Sequence, residues 1–167
     1  SILDSMSSIQ TEAAHQGRYG LLVDDQDSSS GSNVRSAYIP ANAGEHYRIS
    51  FDASIVNGGG IAVYIQYYDE RGRLLTNSKL KNENLLVVPH KAEGWNRYSL
   101  SATAPEATAK LAIWVHSFNG NRVKAYFDHF ELTQETALPL KNPDFENNSE
   151  GWIIRDNMSQ VDPAAAK

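Results

Sequence analysis

A chain of 167 residues, 41% hydrophobic and 21% charged, carries enough apolar side chain to bury one core and is expected to form a single main domain. Its net charge of -5, with no basic stripe, argues against nucleic acid as a partner; no apolar run approaches the ~20 residues that cross a bilayer, and Ser1 to Asp4 carry no basic-then-apolar leader. The absence of cysteine excludes disulfides, thiol nucleophiles and thiolate metal sites, so a metal would have to take oxygen or imidazole ligands.

Short apolar alternations separated by turn residues run the length of the chain, the pattern of an all-β sandwich or barrel, and no segment sustains a helical period. After a polar lead-in, "RYGLLVDD" predicts a first strand at Tyr19 to Val23, and "DSSSGSN" predicts a loop over Asp27 to Asn33. "VRSAYIPA" predicts a second strand ended by Pro40. "EHYRISFDASIV" sets Tyr47, Ile49, Phe51 and Ala53 on one face and Arg48, Ser50, Asp52 and Ser54 on the other, and Gly58 to Gly60 break it. In "IAVYIQYYD", Ile61, Val63, Ile65 and Tyr67 form a core face, with Ala62, Tyr64, Gln66 and Tyr68 behind it. "ERGR" is a turn, followed by a polar connection with a weak strand at Leu85 to Val88. Trp95 opens "WNRYSLSATAP", where Tyr98, Leu100 and Ala102 alternate with Arg97, Ser99 and Ser101. "AKLAIWVHSF" places Leu111, Ile113 and Val115 opposite Ala112, Trp114, His116 and Phe118. "VKAYFDHFEL" is the last strand of a main body spanning residues 1–140, closed by the linker "TQETALPLK".

The segments "AAHQGRYGLLVDD", "GEHYRISFDAS", "YYDERGRLL", "GWNRYSLSATAPEATAKLAIWV" and "AYFDHFELT", in that order, resemble the bacterial carbohydrate-binding modules of families four, nine, sixteen and twenty-two. The resemblance implies a β-jelly-roll sandwich of two antiparallel sheets. It leaves the ligand open, because the fold hosts many sugar specificities and some purely structural members.

In that group the opening strand carries Asn, a gap, Phe-Glu and later Gly-Trp, a signature this chain has only at Asn142 to Trp152. Aligned at an offset of 152, "SILDSMSSIQTEAAH" and "IIRDNMSQVDPAAAK" share six identities in fifteen positions. The expectation is one copy of a tandem array. Residues 141–152 would then complete the sandwich, within the chain or as a swapped strand in a dimer, and residues 153–167 form a tail repeating the N-terminal segment. The resemblance further implies a structural Ca²⁺ held by the carboxylates of Asp128 and Glu146 and the carbonyls of Asp144 and Arg18. The plainer reading of Asp128 and Glu146 is two surface carboxylates.

Sugar binding needs flat apolar surfaces against the ring's C–H groups, bordered by planar polar groups that reach hydroxyls. Tyr64, Gln66 and Tyr68 would lie beside Trp114 and His116 if their strands are neighbours, with Asp52 and Arg48 from a third strand, all on the concave face. The alternative is that Trp114 and Tyr64 fill a second core layer. Trp95, at the head of a strand, reads as packing; Arg71, Arg73, Lys79 and Lys81 border the region as cations for an acidic polysaccharide or as solvated charge. No nucleophile elbow, phosphate loop or histidine cluster is present in the sequence, so no catalysis is expected. The reading is a non-catalytic polysaccharide-binding module, extracellular or at a bacterial surface, joined to neighbouring modules or a catalytic domain. The alternative function is a structural or adhesive spacer with no glycan site.

Overall fold

The computed structural model describes residues 1–75, 83–90 and 93–135. These form ten strands and no helix: β1 (Ser7–Gln10), β2 (Gly20–Asp25), β3 (Val34–Arg35), β4 (Ile39–Pro40), β5 (His46–Gly58), β6 (Ile61–Tyr68), β7 (Leu85–Val87), β8 (Asn96–Thr103), β9 (Lys110–Ser117) and β10 (Val123–Glu135). The pairings are antiparallel and give a five-stranded sheet ordered β1-β2-β10-β5-β8 and a second sheet built on the four-strand path β3-β9-β6-β7, called the four-stranded sheet below, to which short β4 adds a fifth strand on β9. The described residues all belong to one compact unit, Ser1–Thr136. The expectations for Asn142–Trp152, for Ile153–Lys167 and for the ligands Asp144 and Glu146 lie outside the described residues, as do Lys79 and Lys81.

The period-two faces read from the sequence meet as one core. Tyr47, Ile49, Phe51 and Ala53 of β5 and Val23, Ala125 and Phe127 of β2 and β10 pack toward Ile61, Val63, Ile65 and Tyr67 of β6 and Leu111, Ile113 and Val115 of β9. Each large aliphatic or aromatic side chain so buried contributes about 1.5–3 kcal/mol of hydrophobic stabilisation before entropy is counted. The Tyr67 hydroxyl, buried with its ring, donates to the Ala102 carbonyl at 3.0 Å and so links the two sheets.

Two local departures from expectation have simple causes. β1 lies in the polar lead-in: its only large apolar residue, Ile9, is 57% exposed, and the strand is held by backbone pairing from Ser7↔Val23 to Gln10↔Gly20. "VRSAYIPA" is two strands, because at Ser36 the side chain enters the ladder. The Ile113 amide donates to Ser36 Oγ at 2.9 Å while the Ser36 amide donates to the Ile113 carbonyl at 2.9 Å. At the sandwich edge a buried polar knot ties β2 to β9. Ser117 Oγ donates to Asp25 Oδ2 at 2.5 Å and accepts from the Ser32 amide at 2.7 Å, and the Ser117 amide donates to Ser32 Oγ at 2.9 Å.

Candidate functional site

The residues expected to share one sugar-binding face divide between the two sheets. The β6–β9 register sets Tyr64 opposite Trp114, Ala62 opposite His116, Gln66 opposite Ala112 and Tyr68 opposite Lys110, all on the outward face of the four-stranded sheet. Tyr64 and Trp114 have ring centroids 4.8 Å apart, and His116 stacks on Trp114 at 4.3 Å and 12°. Trp114 Nε1 donates to Asn33 Oδ1 at 2.8 Å, His116 Nδ1 lies 2.6 Å from the Ser32 carbonyl, and the Tyr68 hydroxyl donates to Gln66 Oε1 at 2.7 Å. Burial pushes the Tyr64 hydroxyl above its ordinary pKa.

Asp52 and Arg48 do not join them, which corrects the single-face expectation. Both sit on β5, between β8 and β10 in the other sheet. The Gly58–Gly60 turn between β5 and β6 carries the chain across the sandwich instead of closing a hairpin within a sheet, so the outward faces of β5 and β6 point in opposite directions.

Around Asp52 the five-stranded sheet carries a second aromatic and polar cluster, built in cross-strand rows. Asp52 is opposite Arg97 on one side and Asp128 on the other, Ser50 lies between Ser99 and Glu131, and Arg48 between Ser101 and Thr133. The Trp95 ring precedes β8 and stacks on His15 at 4.7 Å and 11°, with Tyr126 of β10 beyond it at 6.2 Å and 25°. Trp95, read from sequence as packing, is therefore part of this outward face.

Asp52 is 4% exposed, and its carboxylate takes His15 Nδ1 at 3.0 Å, Arg97 at 3.3 Å and His129 Nδ1 at 3.5 Å. Burial raises its pKa, but hydrogen bonds from His15 and Arg97, reinforced by their charge, outweigh burial and hold it below the usual carboxylate range. Arg97 continues to the His129 carbonyl at 2.8 Å and to Glu131 at 3.1 Å, and Arg48 pairs with Glu135 at 2.5 Å. The bulge in β10 makes this convergence possible. Opposite Phe51 the strand carries one extra residue, with His129 at φ 50, so Phe130 stacks over Phe51 at 5.4 Å while the His129 ring reaches Asp52.

Of the expected calcium ligands, Asp128 and Arg18 lie among the described residues. Asp128 Oδ2 accepts the amides of His15 and Gln16 at 2.8 and 2.7 Å, and Oδ1 accepts the His129 amide at 2.7 Å. Three of roughly four acceptor positions are thus taken by the backbone, and the carboxylate anchors the His15 loop over Asp52. Burial raises the Asp128 pKa, the three amides lower it further than burial raises it, and the net shift is downward. Arg18 lies over its neighbour Tyr19 at 5.2 Å. Among the described residues no cluster of three His, Asp or Glu is arranged to hold a metal ion.

Comparison with solved structures places this two-sheet arrangement. A "Family 16 Carbohydrate Binding Module-2" is 15% identical, covering 77% of this chain and 85% of its own, with a TM-score of 0.56. The CBM22-1 xylan-binding domain of Paenibacillus barcinonensis Xyn10C is 13% identical over 83% of this chain and 86% of its own, with a TM-score of 0.53. The chain has the β-jelly-roll fold of carbohydrate-binding modules. The jelly roll also matches 17% of the enzymatically active domain of bacteriophage CBA120 tailspike protein 4, at 13% identity and a TM-score of 0.58, so the fold alone does not define a role. No family model matches the sequence, and no curated protein does.

Sequence alternation did place Arg97, Ser99 and Ser101 on the outward side of β8, but not the partners that make them a site. His15 comes from a polar loop with no periodicity, and the approach of His129 depends on a bulge that an alternating pattern conceals.

Proposed function

We propose that the protein is a non-catalytic carbohydrate-binding module that takes a neutral polysaccharide on the outward face of its five-stranded sheet. The observation that carries this reading is the Trp95–His15 stack, extended by Tyr126, beside the Asp52–Arg97–Glu131 network. An aromatic surface suits the C–H face of a pyranose, and guanidinium and carboxylate groups already fixed in place suit its hydroxyls. Along the same face the exposed hydroxyls of Ser99, Ser101 and Thr133 offer further contacts to an extended chain. Asp52, Asp128, Glu131 and Glu135 outnumber Arg48, Arg97 and Lys124 there, and Lys124 is itself paired with Glu12 at 3.7 Å, which disfavours an anionic sugar.

The same electrostatics support a non-catalytic role. Glycoside hydrolysis by paired carboxylates needs one of them protonated, and both Asp52 and Asp128 are held toward the ionised form. Affinity per site in the micromolar to millimolar range, roughly -4 to -8 kcal/mol, would suit a module that gains avidity from neighbours in a longer extracellular or surface chain.

Affinity electrophoresis against soluble xylan, galactan, mannan and β-glucan tests the proposal. The native protein should be retarded by at least one, and Trp95→Ala should lose the retardation while keeping its circular dichroism. A native protein retarded by none of them favours the spacer function.

A further inference from the structure

An asparagine followed by glycine is open to attack by its own backbone, because the glycine nitrogen lies beside the asparagine side-chain carbonyl and no Cβ shields it. The sequence contains two such pairs, Asn57–Gly58 and Asn119–Gly120. The structure puts them in opposite circumstances. Asn119 and Gly120 are both exposed, at the tip of the turn between β9 and β10. Across that tip the Asn121 amide donates to the Phe118 carbonyl at 3.0 Å, and Gly120 in the third position has φ 86, the arrangement of a type II turn. Space around Gly120 is open: a Cβ there would meet nothing nearer than the Ser28 carbonyl oxygen at 4.0 Å, and the Gly120 amide donates no backbone hydrogen bond among the described residues.

Asn57 and Gly58 are instead held in the β5–β10 ladder, opposite Lys124 and Val123. The backbones are so close that a Cβ on Gly58 would stand 2.0 Å from the Arg122 carbonyl oxygen, and the next amide, that of Gly59, donates to the same oxygen at 3.3 Å. Bringing the Gly58 nitrogen onto the Asn57 side chain requires rotation about the bond between the Asn57 Cα and carbonyl carbon, which would open the ladder on both sides of it. The same rotation at Asn119 gives up at most one turn hydrogen bond. The turn is pinned at its two feet, where the Phe118 amide donates to the Gly60 carbonyl at 2.7 Å and the Arg122 carbonyl accepts from Gly59, so only its tip has to move.

We infer that Asn119 is a site of spontaneous deamidation and backbone isomerisation, with water as the co-reactant. Hydroxide takes the Gly120 amide proton, and the Gly120 nitrogen attacks Cγ of Asn119. The new N–Cγ bond closes a cyclic imide, the Cγ–Nδ2 bond breaks, and Nδ2 leaves as ammonia with a proton from water, which regenerates the hydroxide. A second water opens the imide. Cleavage of the bond to Cγ leaves aspartate at position 119; cleavage of the bond to the main-chain carbonyl leaves isoaspartate, with the backbone running through Cβ and Cγ. Either product adds a negative charge beside Phe118, and isoaspartate also lengthens the turn. The chemistry is independent of any glycan.

The test is incubation of the native protein in mildly alkaline buffer, followed by peptide mapping by mass spectrometry and by isoaspartate quantification through enzymatic carboxyl methylation. The peptide carrying Asn119 should take on the acid mass as a mixture of aspartate and isoaspartate, with ammonia released in step. It should convert at least about tenfold faster than the peptide carrying Asn57. In urea, where ladder and turn are both lost, the two peptides should convert at similar rates. Asn119→Gln should remove the conversion at that position in the folded protein. Equal conversion of the two peptides in the folded protein, or an Asn119 peptide that converts only in urea, would overturn the inference. So would a product without isoaspartate, or a tenfold difference that persists in urea, which would assign the preference to the flanking sequence and not to the fold.

Discussion

Replacing Asp52 by Ala removes the centre of the network on the five-stranded sheet while leaving its partners near solvent. The carboxylate is 5% exposed and holds His15 at 3.0 Å and Arg97 at 3.3 Å, whereas those two side chains are 40% and 39% exposed. Exposed partners regain water and Arg97 keeps the His129 carbonyl and Glu131, so the loss falls well short of that for a fully buried ion pair. Two charge-assisted hydrogen bonds from partly solvated donors give about 2 kcal/mol at neutral pH. For a domain of this size that lowers Tm by roughly 5–10 °C. The effect has a definite pH sign. The folded pKa of Asp52 is depressed, so its stabilisation is fully present above the unfolded value of about 3.9 and is lost as pH falls through the folded pKa. Urea denaturation of the native protein and Asp52→Ala from neutral pH to about pH 2.5 should show a difference that shrinks in acid. A difference below about 0.5 kcal/mol at neutral pH, or one constant into acid, would refute the network as described.

Two further substitutions probe the frame that holds both faces. Ser117→Ala takes one donor from the buried Asp25 carboxylate and the acceptor from the Ser32 amide, and is expected to cost about 2–4 kcal/mol in chemical denaturation; a cost under 1 kcal/mol would mean the knot is not a tie between the sheets. Gly31→Ala places a Cβ 1.8 Å from the Ser117 carbonyl oxygen and 2.7 Å from His116 Cε1. It should destabilise by more than about 2 kcal/mol and shift the His116 ring resonances, and an unperturbed His116 would refute this packing.

The core was legible in the sequence because burial on one side of a strand leaves a period-two trace. Ile61, Val63, Ile65 and Tyr67 fall where alternation predicts, as do Leu111, Ile113 and Val115. Alternation says which residues share a face of one strand, but not which sheet that strand enters. Tyr64 and Trp114 share a face because β6 and β9 pair along their length; alternation alone groups Asp52 with them, and the turn after β5, by changing sheets, separates it. The Asp52 network itself has no local sequence signal. His15, Trp95, Arg97 and His129 come from a loop, the start of β8, its interior and a bulge, and only tertiary pairing brings them to one carboxylate.

Two tryptophans distinguish the faces. Trp95 belongs to the five-stranded sheet and Trp114 to the four-stranded one, and each indole N–H gives its own NMR signal. Titrating labelled protein with an oligosaccharide of the neutral polysaccharide that it binds should move the Trp95 indole, together with amides of Ser50, Asp52 and Ser99, and leave the Trp114 indole in place. Movement of Trp114 with Trp95 unmoved would contradict the assignment of the neutral-glycan site to the five-stranded sheet.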